Sequence, residues 1–182
     1  MLEIARAISL TPATVKYWMD KYGLARRSAS ESAYVKQNPS GDPFRIKNRL
    51  SERDEKLFLS CLMLYWAEGS RRNNHVIQIA NLDHRMLSIF IKFLKQICYV
   101  KEEKIRLTIQ LYKEFDKKIV KNYWSKQLGV PKRFIAVNIH SDIRSKPTKQ
   151  WSKYGIARIE VRNVKLKRWI DEQLERQISL WI

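Results

Sequence analysis

Cys61-Leu62-Met63-Leu64-Tyr65-Trp66-Ala67-Glu68-Gly69 closes the longest apolar run of the chain, Leu57 to Ala67. Ser51 in front of it is a helix cap, with Asp54 in the first turn where a carboxylate suits the helix dipole, so a helix is predicted over 52–68. Because its apolar residues lie all round the helix, burial on more than one side is expected. Glu68 ends it, one residue before Gly69. A carboxylate there faces the negative end of the dipole, at a cost of about 0.3–1 kcal/mol. Two readings follow. Arg71 and Arg72 offset the charge in a purely structural helix end, or Glu68 stands where a divalent cation or a phosphate-bound metal is held.

Working outward toward the C-terminus, His75 to Ala80 is a short β-branched stretch, and Asn81-Leu82-Asp83 turns it into a helix capped by Asp83. Met86, Leu87, Ile89, Phe90, Phe93, Leu94 and Ile97 give that helix a wide apolar face. Ile105 to Tyr112 alternates apolar and polar residues, as a half-buried strand does. A helix over about 114–129 ends at Gly129, before Pro131. Phe134 to Ile139 and Ile156 to Val161 read as a further pair of strands, and Val164 onward as a closing helix. This order of elements predicts an α+β domain over 51–182, built on one sheet.

Toward the N-terminus, residues 25–50 show little periodicity. They carry Ser28, Ser30, Ser32, Pro39, Ser40, Gly41 and Pro43, so a linker is expected. It is itself basic, through Arg26, Arg27, Lys36, Arg45, Lys47 and Arg49. Residues 1–24 read as two short helices. Ile4, Ala5 and Ile8 share one face, Thr11 caps the second helix with Pro12 at its first position, and Gly23 ends it. The string EIARAISLTPATVKYWMDKYGL resembles a helix-turn-helix: Ala5 lets the helices approach, Leu10 fills the turn, and Val15 and Trp18 anchor the second helix. In such a unit Thr11, Ala13, Thr14, Lys16 and Tyr17 stand at the start of the recognition helix. The third helix that normally supports one is not evident, so support is expected from the linker or the main domain.

Composition narrows the partner. The chain of 182 residues carries 36 Lys and Arg against 18 Asp and Glu, a formal charge of +18. With 45% apolar residues it can bury a core, so it is not a disordered basic tail. A charge of that size calls for an anionic partner: nucleic acid, an acidic membrane surface or an acidic protein. Cys61 and Cys98 lie in apolar runs, which excludes a disulfide scaffold or a cysteine-rich zinc module. No signal peptide is visible at Met1–Arg6, and no apolar run is long enough to span a bilayer, so an intracellular, cytoplasmic location is expected. His75, His84 and His140 lack metal-ligand spacing. Tyr112, Trp124, Trp151 and Tyr154 are expected in core or rim packing, with base stacking as the alternative.

The 61–69 segment resembles the nine-residue motif of the LAGLIDADG group, with Ala67, Glu68 and Gly69 on its closing alanine, acidic residue and glycine. HVIQIANLDHRMLSIFIKFL (75–94) is similar to that family's strand, Asn-x-Asp turn and apolar helix. Met63 stands where the motif prefers glycine, and Trp66 where a second acidic residue often appears. The resemblance spans about residues 50–182. It implies a saddle-shaped mixed or antiparallel sheet lying along double-stranded DNA. With one motif per chain, it implies a homodimer through helix 52–68, with Ser60 and Ala67 at the approach. It also implies Glu68 as catalytic residue and Mg²⁺ ligand if the protein cuts DNA as a homing-type endonuclease. Degenerate relatives with added helix-turn-helix units regulate transcription without cleaving, and RNA-binding splicing helpers occur too.

Arg106, Arg158 and Arg162 fall on alternating segments whose other face is apolar, so they are expected to emerge together on one sheet face. Lys146, Lys149 and Lys153 would reach phosphates from the intervening loop. Arg26, Arg27, Arg71 and Arg72 complete the expected DNA-binding set. No helix couples a strongly basic face to an exposed apolar one, which favours duplex DNA over a membrane. The expected function is therefore sequence-specific binding of double-stranded DNA, with a Mg²⁺-dependent endonuclease as the alternative.

Overall fold

Four stretches of alternating apolar residues build one mixed sheet. In the computed structural model, which describes residues 2–112, 116–140 and 154–182, the strands are β1 (Val76–Asn81), β2 (Arg106–Tyr112), β3 (Ile135–His140) and β4 (Ile156–Arg162). Their order across the sheet is β1-β4-β2-β3. β4 runs antiparallel to both β1 and β2, whereas β2 and β3 are parallel. In chain order the helices are α1 (Leu2–Ala7), α2 (Pro12–Lys21), α3 (Ala29–Gln37), α4 (Glu52–Glu68), α5 (His84–Gln96), α6 (Lys117–Leu128) and α7 (Val164–Ile178). The described residues therefore form an α+β fold, as expected.

Two compact units divide the chain, residues 1–42 and 43–182. In the larger one, Ile77, Ile79, Leu107, Ile109, Leu111, Ala157, Ile159 and Val161 form one fully buried sheet face. Helices α4, α5, α6 and α7 pack against the sheet and complete the core with Leu62, Tyr65, Phe90, Trp124 and Ile170. Ile159 pairs with Ile79 on one side and Leu107 on the other, so the period-two pattern stays in phase across three strands. The crossover helix α6 stops at Gly129, whose φ of 62° is the left-handed value that glycine adopts without strain.

Three expectations need correction. β3 and β4 follow each other in sequence but are not partners, because β4 inserts between β1 and β2. Residues 25–50 are not a plain linker. Ser28 and Glu31 form a capping box that starts α3, although α3 buries none of its residues. Phe44, Ile46 and Leu50 pack on the main core, and Arg45 and Lys47 donate backbone hydrogen bonds to Cys98 and Ile97. The boundary between units thus falls at 42/43, inside the expected linker. Finally, α4 is not buried all round. Cys61, Leu62 and Tyr65 are buried, whereas Leu59, Met63 and Trp66 are 42%, 40% and 46% exposed.

Where α4 begins, Ser51 Oγ accepts from the Asp54 amide and the Asp54 carboxylate accepts from the Ser51 amide. Lys47 Nζ lies 2.7 Å from the same carboxylate. The Lys47 hydrogen bond, then those from Ser51, hold the Asp54 carboxyl down at about 2. Arg85 does the same for Asp83, the cap of α5, also at about 2. Both values lie below the ordinary 3.8, so these groups stabilise the fold above that value and the contribution is lost as pH falls toward 2. The thermal midpoint is expected to drop between pH 5 and pH 2, and less steeply in Asp54→Asn. Ser51→Ala should cost about 1 kcal/mol in urea unfolding at neutral pH.

Candidate nucleic-acid interface

Opposite the buried face, the sheet carries half-buried and exposed residues among those described. Gln78, Ala80, Thr108, Gln110, Arg158 and Glu160 are half-buried there, while Arg106, Ala136, Asn138 and Arg162 are exposed. The register explains why the three arginines share this face. Arg158 is paired with Ala80 and Thr108, Arg106 with Glu160, and Arg162 with Val76. All these positions are out of phase with Ile77, Ile159 and Leu107, which point into the core. The sequence expectation that Arg106, Arg158 and Arg162 emerge together is met in the described residues. Small and polar neighbours leave the guanidinium groups room to reach a ligand.

Arg162 pairs with Glu160, whose side chain is 14% exposed. Arg106 donates to the Glu103 carbonyl and lies 4.6 Å from the centre of the Phe134 ring. Arg133 lies 4.7 Å from the same ring. Sequence reading passed over Arg133 and Phe134. The signal was present, an arginine and an aromatic side by side at the start of an expected strand. Lys146, Lys149, Lys153 and Trp151 lie outside the described residues, as do the side chains of Tyr112 and His140.

At the end of α4, Gly69 has an ordinary extended backbone with φ −81°. A Cβ there would sit 2.2 Å from the Tyr65 carbonyl oxygen, and this close approach requires glycine. The chain then runs straight onto the sheet edge: Gly69 bridges Ile79, and Ser70 N–H donates to Gln78 at 3.1 Å. Beneath this corner, the buried Lys167 of α7 pairs with Asp171, and its ammonium lies 5.7 Å from the Tyr65 ring. Glu68 is therefore exposed at a well-braced junction of helix and edge strand, with Arg71 and Arg72 exposed just beyond. Ser60 and Ala67 are exposed on the same side of α4 as the Leu59, Met63 and Trp66 stripe. Among the described residues, no group of three His, Cys, Asp or Glu side chains is placed to hold a metal ion.

In the smaller unit, α1 and α2 pack together, and Ala5 and Val15 are their buried residues. Thr11 caps α2, and its hydroxyl lies 2.8 Å from that of Thr14, so both are engaged with each other. Ala13, Lys16 and Tyr17 are exposed. Leu10 does not fill the turn and Trp18 is not the anchor expected, being 44% and 40% exposed. Trp18 instead stacks on Tyr22 and lies under the Lys21 ammonium. Arg26 pairs with Asp20 at 3.3 Å, and Arg26 and Arg27 line a concavity with Ile4 and Met19. Residues 1–42 hold six Lys and Arg against four Asp and Glu, so the positive charge is concentrated in the larger unit.

Of the other aromatic and histidine positions described, Trp124, Tyr154 and His84 make packing contacts. Trp124 is buried and donates from Nε1 to the Tyr154 carbonyl at 2.7 Å. Tyr154 stacks on Tyr123 at 3.7 Å, with His84 edge-on to Tyr123. His75 is exposed beside Asn74. Burial pushes the Cys61 thiol up to about 12 and raises that of Cys98 further, so neither is a ready thiolate nucleophile. Among the described residues no helix is long and apolar enough to cross a membrane. Comparison with family models, with curated proteins and with solved structures gave no match.

Proposed function

We propose that this chain binds double-stranded DNA through the open face of its sheet, in the manner of a LAGLIDADG-like protein that recognises a site without cutting it. One observation carries the reading: Arg106, Arg158 and Arg162 emerge from adjacent strands on the face away from the core, amid half-buried or exposed small and polar side chains among the described residues. The charge of +18 supplies the long-range attraction, and phosphates fix the orientation of a duplex while base edges select its sequence. The α1–α2 unit is a second contact, with Ala13, Lys16 and Tyr17 at the exposed start of its recognition helix.

The homodimer implied by the single 61–69 motif is part of this proposal. The exposed stripe of Leu59, Met63 and Trp66, flanked by Ser60 and Ala67, supplies an apolar surface for a second copy of α4. RNA remains an alternative ligand, and competition by structured RNA against duplex DNA separates the two.

Glu68 supports a second reading, a Mg²⁺-dependent endonuclease, because it is exposed at the end of α4. Mg²⁺ requires about six oxygen ligands in octahedral geometry and keeps several waters. Within one chain the described residues group no three acidic donors, so Mg²⁺ would need Glu68 from each of two copies together with DNA phosphates. The test is incubation of the purified protein with a randomised plasmid library and Mg²⁺. Sequence-specific binding without cleavage is expected, unchanged in Glu68→Gln. Cleavage that disappears in Glu68→Gln would replace the binder with the nuclease.

A further inference from the structure

At one end of this sheet face, Arg106, Arg133 and Arg162, from three places in the chain, line one concavity together with Phe134. Arg106 opens β2 and lays its guanidinium 4.6 Å from the ring centre. Arg133 approaches the same ring to 4.7 Å from the short turn Lys132–Phe134 that precedes β3. Arg162 closes β4, and its partner Glu160 faces Arg106 across the strand pair. These side chains line a concavity of about 490 Å³.

The charge in this concavity is not balanced from within. Three guanidinium groups meet one carboxylate among the lining residues, and that carboxylate is already engaged by Arg162. A ring face offers each cation about 0.5–1 kcal/mol at an exposed position, which does not neutralise it. What the ring and the Glu103 carbonyl do supply is orientation. The Arg106 guanidinium is held from two sides, by the Phe134 ring face and by the Glu103 carbonyl, so less side-chain freedom is lost when a ligand arrives. A tetrahedral oxyanion matches this arrangement, since guanidinium forks donate in pairs to phosphate oxygens.

We propose that Arg106, Arg133 and Arg162 form a preorganised phosphate-binding site floored by Phe134. Resting on the duplex-binding reading above, the site grips one backbone phosphate and sets the register of the duplex on the sheet. Arg158, farther along the face between Ala80 and Thr108, is then left to meet base edges.

Two measurements on the full chain test this. The first titrates isotope-labelled protein with inorganic pyrophosphate and follows amide and arginine Nε–H resonances. The expected shifts are confined to Arg106, Arg133, Phe134 and Arg162; shifts spread evenly over the basic surface, or none, overturn the site. The second follows duplex affinity against salt. Arg133→Gln is expected to lower the magnitude of the log–log slope by about 1, uniformly across sequences. Phe134→Leu keeps the apolar bulk and every charge, and is expected to weaken binding severalfold with the slope unchanged. A wild-type chain that binds duplex while Arg133→Gln keeps the full slope overturns the site and spares the duplex reading. A chain that ignores duplex yet shows the confined pyrophosphate shifts retains the site for another phosphate source, and the duplex reading falls.

Discussion

Replacing Arg106, Arg158 and Arg162 together by glutamine is expected to weaken binding to a duplex of about 30 base pairs by about a hundredfold or more, since one arginine–DNA contact contributes roughly 1–3 kcal/mol. The fold should survive. Two of the three side chains are exposed, and all three lie on the face away from the core. Among the described residues Arg162 pairs with the Glu160 carboxylate, so its loss leaves Glu160 without that partner in a half-buried position and a small fall in thermal midpoint accompanies it. The lysine triple variant separates charge from geometry. It preserves the electrostatic attraction and the salt slope, but loses the planar fork that arginine presents. Affinity restored fully by lysine would mean that the face acts only as a charged surface. Affinity unaffected by the glutamine variant, measured by fluorescence anisotropy, would remove the open face from the interface.

How far this face was legible in the sequence depended on the range of the interactions that form it. Alternation in Ile105–Tyr112 and Ile156–Val161 is local, and it placed Arg106, Arg158 and Arg162 opposite the core before any pairing was known. The Asn81-Leu82-Asp83 turn and the Gly129 stop were equally local, and the structure has both. Strand order was not local. Nothing in β4 states that it inserts between β1 and β2, because that choice is made by side-chain packing over more than 40 residues of intervening chain. Helix α3 went unread for a different reason. Its Ser28–Glu31 capping box is plain in the sequence, but Ala29–Gln37 holds few large apolar residues and shows no face. Phe44, Ile46 and Leu50 were obscured by Pro39, Gly41 and Pro43 beside them, although the segment docks on the core.

The second large effect concerns α4. If two copies pair through α4 as proposed, Met63→Glu combined with Trp66→Glu is expected to yield a monomer and to lower affinity for a two-half-site duplex by about a hundredfold or more, the usual scale of lost bivalency. Binding to a single half-site should be unchanged. Both residues are at least two-fifths exposed, so the substitutions place carboxylates in solvent and leave the packing of Cys61, Leu62 and Tyr65 intact. Sedimentation equilibrium reads the first outcome, and anisotropy with the two duplexes reads the second. A wild-type chain that sediments as a monomer at micromolar concentration, on and off DNA, would refute the α4 pairing. The contrast is informative because α4 turns two apolar faces outward and inward at once. The inward face is explained by the core, whereas Leu59, Met63 and Trp66 have no such role among the described residues.

On the proposed function, the positive charge of the larger unit serves to bind the phosphates of a duplex. The most direct test is the affinity of the unmodified protein for a duplex of about 30 base pairs, followed from 50 to 200 mM salt by anisotropy. Each phosphate neutralised releases counterions and contributes about −0.9 to the slope of log K against log salt. With at least three arginines on the open face, a slope of about −3 or steeper is predicted. A slope near zero, or no binding at 50 mM salt, would contradict the account.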